Sequence, residues 1–595
     1  MFLKRNRRRI RGETYEYWTL VRTIRTPKGP RHEVVASLGK TPGLDSQSKQ
    51  GWEDVIDLLE GNDPPDQSPQ MEFFQVEELR ASSPQWAQVD VQGLSVERVR
   101  DFGQVYLALA LWRRLGLHKI LSRLIDSGKE QIAWEQIACI LTIARFCGNK
   151  SELEVAERWY QDCALQDLLG VQWNRVNETR LYRGLDVLHS HKTALCEHLI
   201  QRYQDMFGVG FEFLLYDVTS TYFEGQALGN TKARRGYSRD KRPDCKQVNI
   251  GLVVTPDGLP IAYEVFPGNT TDVTTVETMI RLMEDKYGKA KRIWVMDRGM
   301  VSEANIDFLR ERQASYIVGT PKAQLKKYEQ ELLEKEGWVE VHEGLEVKLV
   351  KHPERGDDEK YILCRSQERR EKEAAMLELK RQRLSQQLQE IDESLRKRPM
   401  KVEMVERRIG RWLGKYSTAE RHFTVEVIKE EKGDKAVGLK IQERKDVQSW
   451  AELSHGSYLL RTNCQEEDPA KIWKWYVQLT QAEDAFRISK SDLHLRPVFH
   501  QKTQRVEAHI FVCFLTLAMW RSLEMWMKGK GLGDCCRQLV KEVATIKSMD
   551  VVLPVKGETD LRLRVVARPD KAVGELLAHL GLKLPSAPKM IKNVV

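Results

Sequence analysis

Three carboxylates, Asp217, Asp297 and Glu483, are separated by long stretches of chain, and no residues of this sequence are better suited to chemistry. Asp217 closes the apolar run Phe213, Leu214, Leu215, Tyr216, and Asp297 closes a second run, "KRIWVMD". Each run reads as a buried strand with an acid where the sheet opens to solvent. Glu483 shares one face with Phe486 and Lys490 in a helical pattern predicted over 472–490. Chemistry gathers at strand ends in open α/β sheets. Three oxygen ligands suit Mg²⁺ or Mn²⁺, and a pair of such ions can activate water and stabilise a leaving oxygen in phosphoryl transfer. A strand-ending Asp taken alone reads by default as a turn former or a helix cap, and spacing alone does not decide for chemistry.

Other residues invite chemistry less strongly. The stretch 232–246, "KARRGYSRDKRPDCK", holds seven Lys/Arg in fifteen residues with Tyr237 among them, which favours nucleic-acid contact over a solvated loop. Its cations include Arg234, Arg235, Lys241 and Arg242. Arg298 follows Asp297 and reads equally as support for the acid, a DNA contact or a surface charge. His500, Arg505 and His509 suggest a metal, but Arg505 and His509 four apart on one helix fit packing or phosphate contact better. Trp338 and Trp450 could stack on a flipped base, but fit a core better.

The elements that must position these residues follow from hydrophobic period. Residues 13–38 alternate around a Pro-Lys-Gly turn and predict a hairpin; 61–70, "GNDPPDQSPQ", is a linker. From about 95 to 208 the pattern is helical, five or six helices. From 211 the order is strand, two-strand hairpin turning at Pro256-Asp257-Gly258, helix, strand, helix, strand. Residues 321–470 interrupt this with further strands around a charged helix over 366–398. Its seam Leu377, Leu384, Leu388, Ile391, Leu395 steps as a coiled coil does, and Val402, Val405, Ile409, Trp412 form a returning arm. An apolar helix over 503–527 would pack on the sheet, and the C-terminal residues read as a short strand-and-helix tail.

At 595 residues the chain exceeds one compact core. Its 41% hydrophobic and 30% charged residues indicate a soluble globular protein, and no apolar run reaches the ~18–20 residues of a membrane helix. Ten scattered cysteines with no C-x-x-C pair suggest neither zinc nor disulfides and fit a cytoplasmic setting. Residues 1–40 carry 11 Lys/Arg against 3 Asp/Glu, and residues 41–76 carry 1 against 8. A basic end before an acidic stretch suggests a polyanion-binding arm or an ordinary solvated tail.

The segments "YDVTSTYFEG", "VMDRGMVS" and the set Tyr476, Leu479, Glu483, Lys490 resemble, in order and context, the DDE transposases of bacterial insertion sequences. The branch is the one marked by a Tyr-Arg-Glu-Lys signature; "GLPIAYEVFPGNTTD" and the stretch from 483 to 517 are similar to it as well. The resemblance covers about 211–530 closely. It implies a multidomain α/β fold with a ribonuclease H-like catalytic core, interrupted by a β-rich insertion with a helical hairpin and preceded by a helical domain. The boundaries expected are 1–60 for a basic β-hairpin region, 61–94 for a linker and 95–208 for a helical, DNA-binding domain. The core would take 209–320 and 471–530, the insertion 321–470 with its hairpin at 366–413, and the tail 531–595.

It further implies that Asp217, Asp297 and Glu483 are the catalytic, metal-binding triad, holding two Mg²⁺ (or Mn²⁺) ions. Tyr476 and Lys490 would lie beside transposon-end DNA. Leu479 stands where the signature has Arg, and Arg487 is a candidate substitute. The reaction implied is hydrolysis at an element end and joining of the freed 3′-hydroxyl to target DNA, with a hairpin intermediate as one route to second-strand cleavage. The partners implied are double-stranded DNA, at transposon ends and target, and a second copy of the chain; no membrane is implied. Rival readings are a metal-dependent nuclease without strand transfer, a retired transposase kept for DNA binding, and a coiled-coil scaffold. The last leaves the acids unexplained.

Overall fold

The computed structural model describes residues 2–10, 13–26, 29–39 and 87–591, except 127, 129, 149, 289–291, 353–355, 431–432, 558 and 586–587. The linker expected at 61–70, the acidic stretch 41–76, and Pro27 and Lys28 of the N-terminal turn lie outside the described residues. The first elements are strands β1 (Phe2–Ile10), β2 (Glu13–Thr26) and β3 (Gly29–Gly39), an antiparallel sheet in that order. The sequence reading had β2 and β3 but not β1, whose run of arginines hides its alternation.

Strand β4 (Ser95–Asp101) comes next, where the helical pattern was expected to begin. The reason lies 450 residues away: β4 pairs antiparallel with a strand of the C-terminal tail. Helices α1 (Gly103–Arg114), α2 (Leu117–Leu124), α3 (Trp134–Phe146), α4 (Glu178–Ser190) and α5 (Lys192–Phe207) follow. Then come β5 (Phe213–Tyr222), β6 (Gln247–Val254), β7 (Pro260–Pro267), α6 (Val276–Tyr287), β8 (Ile293–Met296), α7 (Glu303–Glu311) and β9 (Ser315–Gly319). Gly258 takes φ 80° at the β6–β7 turn, a conformation glycine adopts without strain.

The middle of the chain supplies β10 (Val339–His342), β11 (Leu345–His352), β12 (Gly356–Ser366), α8 (Gln367–Lys397), β13 (Met400–Lys401) and α9 (Val402–Lys415). It continues with β14 (Phe423–Lys429), β15 (Lys435–Glu443), α10 (Lys445–Ser454) and β16 (Ser457–Thr462). The remainder is α11 (Pro469–Val477), α12 (Thr480–Ser491), α13 (Thr503–Gly529), α14 (Cys536–Val543), β17 (Lys547–Leu553), β18 (Leu561–Val566), α15 (Lys571–His579) and β19 (Lys589–Met590).

Two compact units share the chain: residues 1–210, 218–270 and 481–595 form one, and residues 211–217 and 271–480 the other. In the first unit, α13 is the buried axis. It packs against α1, α3, α4 and β7, and nearly all its residues from Val506 to Leu523 are inaccessible. Its length and apolarity would suit a membrane span, contrary to the expectation that no run is long enough, but its burial among these helices makes it a core helix. The same unit holds β6, β7 and the later half of β5, and a sheet in the order β19-β18-β17-β4.

The second unit holds the first half of β5 beside β8 and β9, all parallel, with β16, β12, β11 and β10 continuing antiparallel. The strands at 339–366 and 457–462 therefore extend the sheet of β8 and β9. A separate sheet, β13-β15-β14, carries the helical pair α8 and α9. Leu384, Leu388, Ile391 and Leu395 of α8 interlock with Val402, Val405 and Ile409 of α9 and with Phe423 and Leu439 of the strands. Trp338 and Trp450 pack half-buried against Leu325, Tyr328, Leu332 and Leu459 at the root of this region. All ten cysteines are free thiols.

Candidate active site

Asp217 and Asp297 come together through strand register. β5 and β8 run parallel with Tyr216 opposite Met296, and the two acids are the next residues on each strand. Parallel neighbours in register lie ~4.8 Å apart and point to one face. Asp297 keeps extended backbone (φ −75°, ψ 163°), so that geometry carries through to it. The residues before the acids are buried: Tyr216 is fully inaccessible and donates its hydroxyl to Thr275 Oγ1 at 2.7 Å. Alternation then turns both acids to the opposite face, Asp217 half-buried and Asp297 exposed. Asp217 was read as a strand end. It lies instead inside β5, at the point where pairing with β8 stops, because the run Val218, Thr219, Ser220, Thr221, β-branched at all but Ser220, continues the strand to Tyr222.

The loop after Asp297 is held from three sides. A single 3-10 turn, Arg298–Met300, starts at Asp297, and Ser302 caps α7 by accepting from Asn305 N at 3.1 Å. Asn305 Nδ2 donates to Val273 O (2.8 Å) and Met300 O (2.9 Å), tying the loop to the turn at 272–275. That turn brings in Asp272, an acid the sequence reading did not single out. Its Oδ2 is 3.6 Å from where a Cβ on Gly299 would lie. The signal was present in "GNTTD", which ends on this residue.

Tyr476 belongs to the same edge. Its hydroxyl lies 2.7 Å from the position a Cβ on Gly319 would take, at the end of β9, and the Arg298 amide is 3.3 Å from that point. Tyr476 sits on α11, which packs against β8 and β9. The helix predicted over 472–490 is in fact two, α11 and α12, interrupted at 478–479. Leu479, at the signature's Arg position, is buried at that break. Arg298 is exposed, with no ion pair among the described residues.

Beneath this edge lies a buried ionic cluster that sequence reasoning missed. Arg461 on β16 donates Nε and Nη2 to Glu359 (2.7 and 3.0 Å), and Nη1 and Nη2 to Glu303 (2.6 and 3.1 Å). Tyr316 on β9 donates its hydroxyl to the same Glu359. Glu359 is fully buried and Arg461 nearly so, while Glu303, at the first turn of α7, is largely exposed. The cluster thus braces the helix that follows the Asp297 loop.

Glu483, Lys490, Arg487 and the basic loop belong to the other unit. Glu483 is exposed in the first turn of α12. Lys490, two turns on, donates to Asp240 at 2.8 Å, and Arg496 pairs with the same carboxylate. Burial draws the Lys490 ammonium below the usual lysine range, and Asp240 opposes the shift. Arg487 is spent on Asp484 (Nε 2.8 Å), which also pairs with Arg521. Arg242 pairs with Asp244 at 2.9 Å and lies over the Tyr222 ring, whereas Arg234, Arg235 and Lys241 are exposed.

Two glycines seat the basic loop by backbone approach. A Cβ on Gly268 would fall 2.0 Å from Gln247 O and 2.5 Å from Arg234 O, and one on Gly236 would fall 2.1 Å from Gly268 O. The Gln247 amide bridges the same backbone, donating to Tyr237 O (3.0 Å) and Gly268 O (2.8 Å).

Glu152, His500 and His509 cluster closely enough to suggest a metal. The hydrogen bonds argue otherwise. Arg145 Nη2 lies 3.2 Å from His509 Nδ1. A guanidinium can only donate, so Nδ1 accepts and Nε2 carries the proton, facing Leu495 O at 3.4 Å. Neither nitrogen of His509 is left for a cation, and Glu152 already faces His500 Nε2 at 3.4 Å.

The pair Asp217 and Asp297 has the chemistry of a divalent-cation site: two hard oxygen donors, side by side on one face of adjacent strands. Residues 210–519 match the family described as Transposase DDE domain, and residues 3–66 match IS1634 family transposase, N-terminal domain. The first match spans more than half of the chain, and the second falls on the basic N-terminal strands. This chain belongs to the DDE transposases of insertion sequences, enzymes of metal-dependent phosphodiester transfer. Among curated proteins there is no match.

Proposed function

We propose that the chain cuts the ends of its insertion sequence by phosphodiester hydrolysis and joins the freed 3′-hydroxyl to target DNA by cut-and-paste transposition. The observation that carries this reading is the adjacent register of Asp217 and Asp297. Glu483 is the third carboxylate of the site, and the core is ribonuclease H-like. In support of that fold, the first half of β5 lies beside β8 and β8 beside β9, all three parallel.

Asp217, Asp297 and Glu483 would hold two Mg²⁺ or Mn²⁺ ions, which when bound lower the pKa of attacking water and stabilise the leaving oxygen. The chain's own residues supply placement. Tyr476 and Arg298 offer a hydroxyl and a guanidinium to phosphate beside Asp297, and Lys490, Arg487, Arg234, Arg235, Lys241 and Arg242 offer sequence-blind charge. Lys490 meets DNA in competition with Asp240, so the backbone phosphate must displace or join that pair. Hydrolysis and strand transfer are the same in-line displacement with different nucleophiles, so one site serves both, and a hairpin intermediate is the same step with the freed hydroxyl attacking the opposite strand. The working form is a dimer that brings two ends together in the cytoplasm.

The test incubates purified protein with DNA carrying the element's terminal repeats and Mg²⁺. Asp297→Asn retains DNA binding and loses cleavage and joining by at least 10³-fold, the scale expected when a metal-held step is removed. Unaltered cleavage in that variant would overturn the assignment; cleavage without joining in the parent protein would favour a simple nuclease.

A further inference from the structure

The helical pair α8–α9 has no part in the chemistry above, yet its charge is unevenly spread. Residues 367–393 of α8 carry six Lys/Arg against seven Asp/Glu, while residues 394–415 carry eight against two. All eight cations, from Arg396 to Lys415, are exposed. Arg396 and Arg407 are paired within their own helices, to Asp392 and Glu403. Lys397, Arg398, Lys401, Arg408 and Arg411 have no carboxylate partner among the described residues. Helical spacing sets Arg408, Arg411 and Lys415 on one face of α9, rising ~10 Å along its axis.

A second feature lies beside that surface, roughly 100° round the helix. Gly410 and Gly414, one turn apart in α9, are exposed, and a Cβ at either would meet nothing within 4 Å. Glycine inside a helix costs ~1 kcal/mol relative to alanine, and packing within the chain gives no return for it. The stripe adjoins the cationic face through Arg411 and leaves the helix backbone open to a bulky polyanion seated on that face.

We propose that the 394–415 face of this helical pair is a second DNA-binding surface, remote in sequence from the catalytic residues, which grips the phosphate backbone of duplex DNA without reading its bases. Charge complementarity favours duplex DNA as the occupant, and the inference rests on the transposase reading only for that choice of partner.

The test measures affinity for a random-sequence duplex as a function of salt, without divalent metal, so that it is independent of cleavage and of Asp297. Each phosphate neutralised contributes ~0.9 to the slope of log K against log salt. The fourfold variant Arg398→Gln, Lys401→Gln, Arg408→Gln, Arg411→Gln should therefore flatten the slope by about 3 to 4 and weaken binding on the order of 10³-fold at ~0.1 M salt. Gly410→Ala with Gly414→Ala should raise the melting temperature yet weaken DNA binding, a combination that a purely structural helix would not produce. An unchanged salt slope in the fourfold variant, with its fold intact by circular dichroism, overturns the proposal. So does loss of self-association at unchanged slope, which would make the face a contact between copies.

Discussion

Replacing Arg461 with methionine isolates the energetics of the ionic cluster under the Asp297 loop. Arg461 makes four hydrogen bonds, two to each of Glu303 and Glu359. Glu303 is largely exposed and water can solvate it, so its loss of partner costs little. Glu359 is fully buried. With Arg461 gone its carboxylate keeps the Tyr316 hydroxyl but loses the guanidinium that makes two hydrogen bonds to it, which favours the neutral form; full neutralisation sets the upper limit of the cost. Keeping a carboxyl of ordinary pKa about 4.3 neutral at pH 7 costs about 1.36 kcal/mol per unit, roughly 3.7 kcal/mol in all. That agrees with the 3–5 kcal/mol typical of breaking a buried pair. For a unit of this size it corresponds to a fall in melting temperature of roughly 7–15 °C. The sign with pH is fixed. In the variant the folded pKa of Glu359 stands above its unfolded value, so its contribution is intact below about pH 4 and is lost as pH rises. The gap between variant and parent should thus shrink from ~3.7 kcal/mol at pH 7 to about 1 kcal/mol at pH 5. Removing the acid as well, in Arg461→Met with Glu359→Leu, should recover most of the loss. Urea titrations at both pH values decide the matter: a loss under ~1 kcal/mol at pH 7, or one that does not narrow at pH 5, refutes the argument.

Three further perturbations follow from contacts already described. Asp240→Ala leaves the half-buried Lys490 without its partner and should cost about 2–4 kcal/mol in thermal unfolding, whereas Asp240→Asn, which still accepts hydrogen bonds, should cost less. Gly268→Ala forces a methyl onto two carbonyl oxygens and should detach the basic loop, read as accelerated proteolysis at 232–246 and weakened DNA binding. Burial first, then Arg145 and His500, holds His509 well below the ordinary histidine pKa. The unfolded chain therefore takes up a proton near pH 6.5 that the folded chain refuses, and stability falls by up to ~1.4 kcal/mol per pH unit below that point. His509→Gln should flatten this slope between pH 6.5 and 5.5; an identical slope in both proteins would show that another group controls it.

Much of the local structure was legible because period and punctuation agreed. Pro256-Asp257-Gly258 between alternating residues gave the β6–β7 hairpin, and the steps from Leu384 to Leu395 gave the buried seam of α8. What escaped was set by distant pairing. Ser95–Asp101 is a strand because β17 lies beside it, and nothing local marks it. β5 runs past Asp217 because its polar half is threonine and serine, which satisfy strand geometry while hiding the apolar pattern. The interruption at 478–479 is invisible to helical spacing, since Tyr476 and Glu483 are seven apart and stay in phase across it. Arg461, Glu359 and Tyr316 lie on three strands and meet only in the assembled sheet. Asp297 was legible by its position after an apolar run; Asp272 carried only the weaker signal of the turn "GNTTD" and was not singled out, because no apolar run leads into it.

Strand β12 hands the chain to α8 at Ser366, and β16 takes it back at Ser457. Arg365 stands opposite Ser457, and Ser366 N donates to Gly456 O at 3.0 Å. Everything between departs and returns at a single rung. Such a segment behaves as a cassette: the part other than α10 and its Trp450 packing can be lengthened or exchanged while every strand on either side keeps its register. An engineer could fuse a foreign module there, provided Trp450 keeps its seat against Leu325, Tyr328, Leu332 and Leu459.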